Sequence, residues 1–488
     1  MKKKSPAATF QTAAHNFTIF IFGASGSLAQ LKLFPSIYEL VKEGRMPKDF
    51  KIVGYARTPM EDAAFRKLFE KSIRKSEKNV DEAALKKLLA NVFYFSGAYD
   101  SEADYKNFLK RLREIEETPD RVRMAYFSVP PSVFPEIFTN LARVNFNTKR
   151  CALRLVIEKP FGYDLSSAKK LKKKLDKHFK PEQVYLLDHY LGKEAVSNLL
   201  SLRYANSILT NLFSREYVSN IQISALEEKD IEGRANYFDN VGILRDMVQS
   251  HLLQIIAYLT MYAPKEQTGE AIHHEKARVL SSLRLDKPHE SIVRGQYKGY
   301  NKTKDIPANS QTETYAALKL RIKHPLWKDV PLYIRSGKCL KKKWTAVVLE
   351  FKPHKVQKNQ PDLPPNRIVI QLQPYEKIEF HLLTKLGGKT FDFHELTTGR
   401  PIYCSGDCLG EHGRLLLDVV DGKRGLFLNF EEIFAAWRIM DRAQHWCDKK
   451  SKKCDELHSY ASGTLGPKAA DELLKKDGFT WFNAFPND

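Results

Sequence analysis

The sequence is short of cysteine, of acidic residues relative to basic ones, and of any long apolar run, and each scarcity narrows what the chain can be. No apolar stretch approaches the ~20 residues needed to cross a bilayer, so a soluble protein is expected. Six cysteines (Cys151, Cys339, Cys404, Cys408, Cys447 and Cys454) in 488 residues do not make a disulfide framework, which points to a reducing compartment and a cytoplasmic location. Cys404 and Cys408, with His412 nearby, have a loose metal-like spacing. Cys447 and Cys454 are too far apart for a zinc knuckle, so no metal is expected. With 58 acidic against 79 basic residues the net charge is +21, which favours anionic partners. A phosphorylated metabolite, a dinucleotide and nucleic acid all satisfy that condition. Internal repeats are absent, and the first dozen or so residues alone have linker-like composition; residues 1–14 are expected to be disordered.

What is present is enough apolar material, 43% of the chain, for a large core, and a length that suggests two domains. Apolar strand-like runs at 17–22, 51–56, 92–95, 123–128, 153–158 and 184–188 alternate with amphipathic helical stretches. Such alternation predicts a parallel sheet covered on both faces. The run at 17–22 follows Lys2–Lys4 as in a signal peptide, but it is short and passes straight into a glycine turn, so it is taken as the first strand. Beyond Asn206 the β-type segments at 218–225, 316–322, 345–351, 367–372, 377–383 and 390–394 are joined by turns, which predicts an α+β domain with a large, mainly antiparallel sheet. The division expected is an α/β Rossmann-like coenzyme domain over 15–190 and the α+β domain over 191–488.

The first strand runs into Gly23-Ala24-Ser25-Gly26-Ser27-Leu28-Ala29 and then a helix pattern. Gly23 permits a tight turn, Gly26 a close backbone approach to a pyrophosphate, and the small Ala29 close helix–strand packing, the logic of a dinucleotide site. Ser27 is a candidate helix cap, and Pro35 should bend the helix. The second strand ends at Arg57-Thr58 where an NAD enzyme offers a carboxylate to the ribose. Arg57 can instead hold a 2′-phosphate, which indicates NADP. The lysines of 169–174 surround an apolar stripe of Ala168, Leu171, Leu175 and Phe179, so they form a solvated helix face without stacking aromatics, unlike a single-strand nucleic-acid groove.

Tyr185-Leu186-Leu187-Asp188-His189-Tyr190-Leu191-Gly192-Lys193 gathers four polar groups at one strand-to-helix corner, and Lys193 at a helix start suits a phosphate. Lys159 ends the fifth strand in Glu158-Lys159-Pro160-Phe161-Gly162, where a solvated lysine is an equal alternative. Asn240 to Tyr262 has the pattern of one helix, on which His251 shares an apolar face with Leu244, Met247 and Val248, as a core histidine would. Asp246 then lies about 140° around the helix from His251.

These motifs, in this order from about Phe17 to about Leu474, resemble those of the glucose-6-phosphate dehydrogenases: D-H-Y-L-G-K-E at 188–194, I-E-K-P-F-G at 157–162 and R-D-M-V-Q-S-H at 245–251. The resemblance implies NADP-dependent oxidation of D-glucose 6-phosphate at C1 to 6-phosphoglucono-δ-lactone, the first step of the pentose phosphate pathway. By the same resemblance, His251 is the general base and Asp188 orients it and stabilises its charge. Lys159 contacts substrate and nicotinamide, next to a proline that is often cis. His189, Tyr190 and Lys193 hold the phosphate, Glu227 and Asp246 bind sugar hydroxyls, and Lys338 and Lys343 are cations near the substrate. The coenzyme site is Gly23, Ala24, Ser25, Gly26, Ser27 and Leu28 with Arg57 and Lys159, although Ser27 stands where the family has Asp. A homodimer or homotetramer through the second-domain sheet is implied. The alternatives are a dehydrogenase of another sugar or sugar phosphate, and an impaired regulatory or nucleic-acid-binding homologue.

Overall fold

A computed structural model describes Ala13 and residues 15–485, apart from 232, 267, 361, 386–392, 402–408, 445–446, 449–452 and 455. Residues 1–12 and 14, and with them most of the segment expected to be disordered, lie outside the described residues, as do Cys404 and Cys408. Six strands, β1 (Phe17–Phe22), β2 (Phe50–Ala56), β3 (Val92–Ser96), β4 (Arg121–Phe127), β5 (Cys151–Glu158) and β6 (Val184–Leu187), form one sheet in the order β3-β2-β1-β4-β5-β6. Every neighbouring pair is parallel. All six residues of β1 are buried, as a sheet covered on both faces requires. Phe20 and Phe22 enter one core while Phe17, Ile19 and Ile21 enter the other, the two-residue alternation of a strand. Each such side chain contributes about 1.5–3 kcal/mol by leaving water.

β4 and β5 start two residues before the apolar runs that mark them. Arg121 and Arg123 are buried in β4 by pairing with Asp49 and Glu116, so charge inside a strand hides its beginning. The lysine-rich helix is Leu165–Asp176, with Ala168 and Leu175 buried beneath its charged face. Gln373–Pro374 and Lys159–Pro160 are cis peptides.

The second sheet runs Phe393–Pro401, Lys377–Lys385, Arg367–Gln373, Trp344–Phe351, Val218–Leu226, Pro331–Gly337, Tyr315–Ile322, Ile292–Tyr297 and Leu457–Tyr460, with Leu283–Arg284 pairing beside Tyr315–Ile322. It is mostly antiparallel, with parallel pairing of Val218–Leu226 to Pro331–Gly337 and of Ile292–Tyr297 to Leu457–Tyr460. The strand placed at 390–394 in fact begins at Phe393 among the described residues. The helix Glu411–Asp421 returns from the second half to the first sheet, where Leu415, Leu416, Val419 and Val420 share the core of β1.

The single helix expected from Asn240 to Tyr262 does not form. A helix Ala235–Ile243 breaks at Gly242, whose φ of +69° only glycine adopts comfortably and where a Cβ would collide with the Glu313 carboxylate. The chain then winds as a π-helix over Leu244–Leu252 and continues as the α-helix Leu253–Thr260. No helix among the described residues is long and apolar enough to cross a membrane.

Candidate active site

The residues that follow β5 and β6 meet the π-wound segment, and β1 ends at the same edge of the parallel sheet. Strand order reverses between β1 and β4, the place where open parallel sheets bind ligands. At the end of β1, Gly23 has φ +80° and a Cβ on it would collide with the Ser128 carbonyl. The Gly23 amide donates to the Tyr55 carbonyl (2.8 Å) and the Gly26 amide to the Gly23 carbonyl (2.9 Å), which folds Gly23–Gly26 into a tight turn. Helical backbone begins at Ser27, so this side chain opens the first turn and does not cap it; no side-chain hydrogen bond caps the π-wound Ala29–Leu33 that follows. Pro35 sits where Ala29–Leu33 gives way to the α-helix Phe34–Lys42, so the missing N–H falls in a first turn and changes the winding in place of a sharp kink. Ala24 is wholly buried, and Gly54 on β2 faces it with no room for a side chain. Helix-start amides without partners beyond a glycine turn fit a dinucleotide pyrophosphate. Arg57 follows β2, exposed, with its guanidinium carbon 5.6 Å from the centre of the Tyr99 ring.

Asp188 directly follows β6 and is wholly buried. Its Oδ1 accepts from the Tyr190 amide at 3.0 Å and lies 2.5 Å from His251 Nδ1. On the other side of the imidazole, Lys159 Nζ is 2.6 Å from Nε2. The same ammonium donates to the Asp246 carbonyl at 2.8 Å and the Ser250 hydroxyl at 3.4 Å, and lies 3.8 Å from Asp246 Oδ1. Asp246 and His251 are therefore not separated around a helix flank. In a π-helix residue i bonds to i+5, so residues five apart face the same way, and both meet Lys159. Tyr190 stacks on the His251 ring, centroids 4.1 Å apart and 18° between planes, and His189 meets that ring edge-on at 4.7 Å.

Burial would push the Asp188 carboxyl up, but its pairing with the His251 imidazole and the nearby Lys159 ammonium hold it well below the usual carboxylate range. Asp188 pushes the His251 pKa up, but burial, with the Lys159 cation, outweighs the carboxylate, and the imidazole is held below its ordinary value. A neutral His251 with Nδ1–H on Asp188 leaves Nε2 as a lone-pair acceptor. Burial, then His251, takes His189 down to about 2. Burial would raise Asp246 too, but Lys159, Lys338 and Arg234 keep it lowered. Asp188, His189 and His251 bring ligand atoms within 4.8 Å of one another; the Lys159 ammonium on Nε2 opposes a second cation there.

Lys193 stands at the start of the helix Glu194–Tyr204, its Nζ 4.7 Å over the Tyr190 ring and 3.9 Å from Glu411 Oε2. Its pKa is lowered, chiefly by burial, with Glu411 and Glu376 opposing and the charge of Lys343 adding. Lys343 itself is exposed. Lys338 is buried and paired with Glu227. Three residues were not singled out for this site from the sequence. Ser250 had only its place in the motif at 245–251 as a signal. Glu158, next to Lys159, is bonded to the Tyr126 hydroxyl and raised by burial. His412, set beside Cys404 and Cys408 as a metal spacing, is instead buried with its ring parallel to His189 at 6.1 Å, and nothing local in the sequence announces that.

A glycine turn at the switch point of a parallel sheet, facing a carboxylate–imidazole pair, defines a nicotinamide-nucleotide-linked oxidoreductase. The model for the NAD binding domain of glucose-6-phosphate dehydrogenase matches residues 20–198, and the model for its C-terminal domain matches 200–482. The glucose-6-phosphate 1-dehydrogenase of Aggregatibacter actinomycetemcomitans is 35% identical over 96% of this chain and 97% of its own, and that of Bacillus subtilis 36% over 95% and 98%. The crystal structure of the enzyme from Mycobacterium avium superposes with a TM-score of 0.86 at 29% identity, covering 97% of this chain and all of that one. A glucose-6-phosphate dehydrogenase solved in complex with glucose 6-phosphate gives the same score and identity over 98% of this chain. The chain belongs to the glucose-6-phosphate dehydrogenase family.

Proposed function

We propose that the protein oxidises D-glucose 6-phosphate at C1 to 6-phosphoglucono-δ-lactone with NADP⁺, the first step of the pentose phosphate pathway. The observation that carries this is the chain Asp188–His251–Lys159, in which the carboxylate orients the imidazole and turns Nε2 toward Lys159. The coenzyme would lie on Gly23, Ala24, Ser25, Gly26, Ser27 and Leu28, with Arg57 at its 2′-phosphate; Arg57 and Thr58 directly follow β2, where an NAD enzyme offers a carboxylate to the ribose. When bound, its nicotinamide supplies the hydride acceptor.

His251 Nε2 takes the proton of the C1 hydroxyl, which enters where the Lys159 ammonium now sits. Asp188 keeps Nδ1–H in place and stabilises the imidazolium that forms. Lys159, displaced from Nε2, stays within reach of the reacting oxygen. His189, Tyr190 and Lys193 bind the phosphate, with Lys343 adding charge from outside, and Asp246 and the Glu227–Lys338 pair take the sugar hydroxyls. The coenzyme unit spans 15–190 and the substrate unit 191–488, with Glu411–Asp421 packed back on the former. The exposed Leu382 and Leu396 on neighbouring outer strands of the large sheet support a homodimer or homotetramer through that face. We place the protein in the cytoplasm, as the name of the cytoplasmic Arabidopsis thaliana relative suggests.

Absorbance in the NADPH band tests the reading. Turnover with glucose 6-phosphate and NADP⁺ is expected, with far weaker turnover on glucose; equal rates on both sugars would remove the phosphate from the proposal.

A further inference from the structure

Two charges on helices of the second half are buried completely. Lys276 lies on the helix Gly269–Ser282 and Glu432 on the helix Phe430–Ala443; both side chains are 0% exposed, with Nζ 2.9 Å from Oε2. Glu432 Oε1 is occupied by His273 Nδ1 at 2.7 Å. Well-packed apolar residues of the same volume would hold these helices together at no desolvation cost, so the pair needs a reason beyond packing.

Its remaining contacts supply one. The ammonium donates to Gln254 Oε1 at 3.2 Å and to the Phe427 carbonyl at 3.4 Å, over the face of the Tyr258 ring at 4.9 Å. Gln254 stands three residues after His251 on the same run of helical backbone. Phe427 precedes Leu428, whose amide donates to the Leu186 carbonyl of β6 at 2.9 Å, two residues before Asp188. The Tyr258 hydroxyl, on the same helix, adds a second tie at 2.9 Å to the Gly425 carbonyl. One buried ammonium is thus tied to both segments that carry the Asp188–His251 pair, to one through the Gln254 side chain and to the other through Phe427–Leu428 and β6. Its donor directions constrain their separation in a way apolar contacts would not.

We infer that Lys276 and Glu432 are positioning residues that hold Asp188 and His251 in register for proton transfer. The inference rests on the reading of that pair as the base and its orienting carboxylate.

The paired variant Lys276→Met with Glu432→Gln removes both charges and strands neither. A small displacement of a base is costly to rate, so kcat should fall about 10- to 100-fold while the Kd values for glucose 6-phosphate and NADP⁺ hold. In an Asp188→Asn background, where the register no longer matters, the same pair of changes should lower kcat by less than about twofold. Losses that multiply, or a folded paired variant with normal kcat, overturn the inference. If the paired variant does not fold, Gln254→Met cuts only the tie toward His251 and should show a smaller loss with the same dependence on Asp188; an unchanged kcat overturns the inference. A readout independent of turnover is the downfield proton resonance of the His251 Nδ1–H on Asp188, which should shift or broaden in the paired variant. Should Asp188→Asn leave kcat normal, the base reading fails, and positioning stands or falls on that resonance alone.

Discussion

His251 Nδ1 lies 2.5 Å from Asp188 Oδ1, although 63 residues separate them in the chain. The contact fixes which imidazole nitrogen carries the proton and leaves Nε2 to work. A positioned base contributes about 10²- to 10⁴-fold, so His251→Asn should lower kcat by about 10²-fold or more with little change in the Kd for glucose 6-phosphate, and should erase the acid limb of the pH–rate profile. Near-normal kcat with a lower Tm would make His251 a core histidine and turn attention to His189.

Lys193 is held beside Tyr190, 3.9 Å from Glu411 Oε2 and within the field of Glu376, and burial lowers its pKa, so a dianion that pairs with it would restore the charge that burial disfavours. Lys193→Ala should weaken glucose 6-phosphate by about 10- to 150-fold, the worth of a charged hydrogen bond of about 1.5–3 kcal/mol, and leave glucose almost untouched. Comparing KM for the two sugars checks it; parallel losses would remove Lys193 from the phosphate.

Arg57 lies exposed against Tyr99 beyond β2, free to swing onto a phosphate. Arg57→Ala should raise the KM for NADP⁺ by about 10-fold or more and that for NAD⁺ hardly at all. An equal rise for both coenzymes would mean that the arginine only shapes the pocket.

The six parallel strands were legible because their apolar runs and glycine turn follow from burial on both faces, and Asp188, His189, Tyr190 and Lys193 because six consecutive positions carry them. The relation of Asp246 to His251 was not legible. A hydrophobic pattern registers the 3.6-residue period, and nothing in 244–252 announces a π-winding that turns residues five apart onto one face. His412 and Lys276 were illegible for another reason: their partners, His189 and Glu432, are more than a hundred residues away, and a buried charge looks like a surface one until its partner is placed.

The buried histidines set the response of stability to acid. Burial brings His412 to about 4 and His189 to about 2, against about 6.5 when unfolded. Below pH ~6.5 the unfolded chain takes up protons that the folded one refuses, so stability falls as pH falls, through about 4 for His412 and about 2 for His189. Asp418, raised by burial to about 6, opposes this over its own titration. Between pH 6.5 and 5 each of the two histidines should withdraw about 2 kcal/mol. Urea midpoints over that range test the sign, and His412→Phe should flatten the slope; a midpoint that rises on acidification would contradict it.

Lys159 offers the most direct view of the electrostatics. Its ammonium touches the nitrogen that must accept a proton, and it is one of the causes, after burial and against Asp188, that keep the imidazole neutral. Removing a cation beside a base makes protonation easier, so in Lys159→Met the His251 pKa rises and the acid limb of kcat/KM moves to higher pH. In the unmodified enzyme that limb should fall below pH ~6.5, the ordinary imidazole value. The variant will also be slower, because Lys159 faces the substrate, but a slower enzyme with an unmoved limb would mean that the ammonium serves binding alone. Lys159→Arg keeps the charge and should keep the limb where it was even if the larger group impairs turnover. A limb that shifts equally in the methionine and arginine variants would show that shape, and not charge, governs His251.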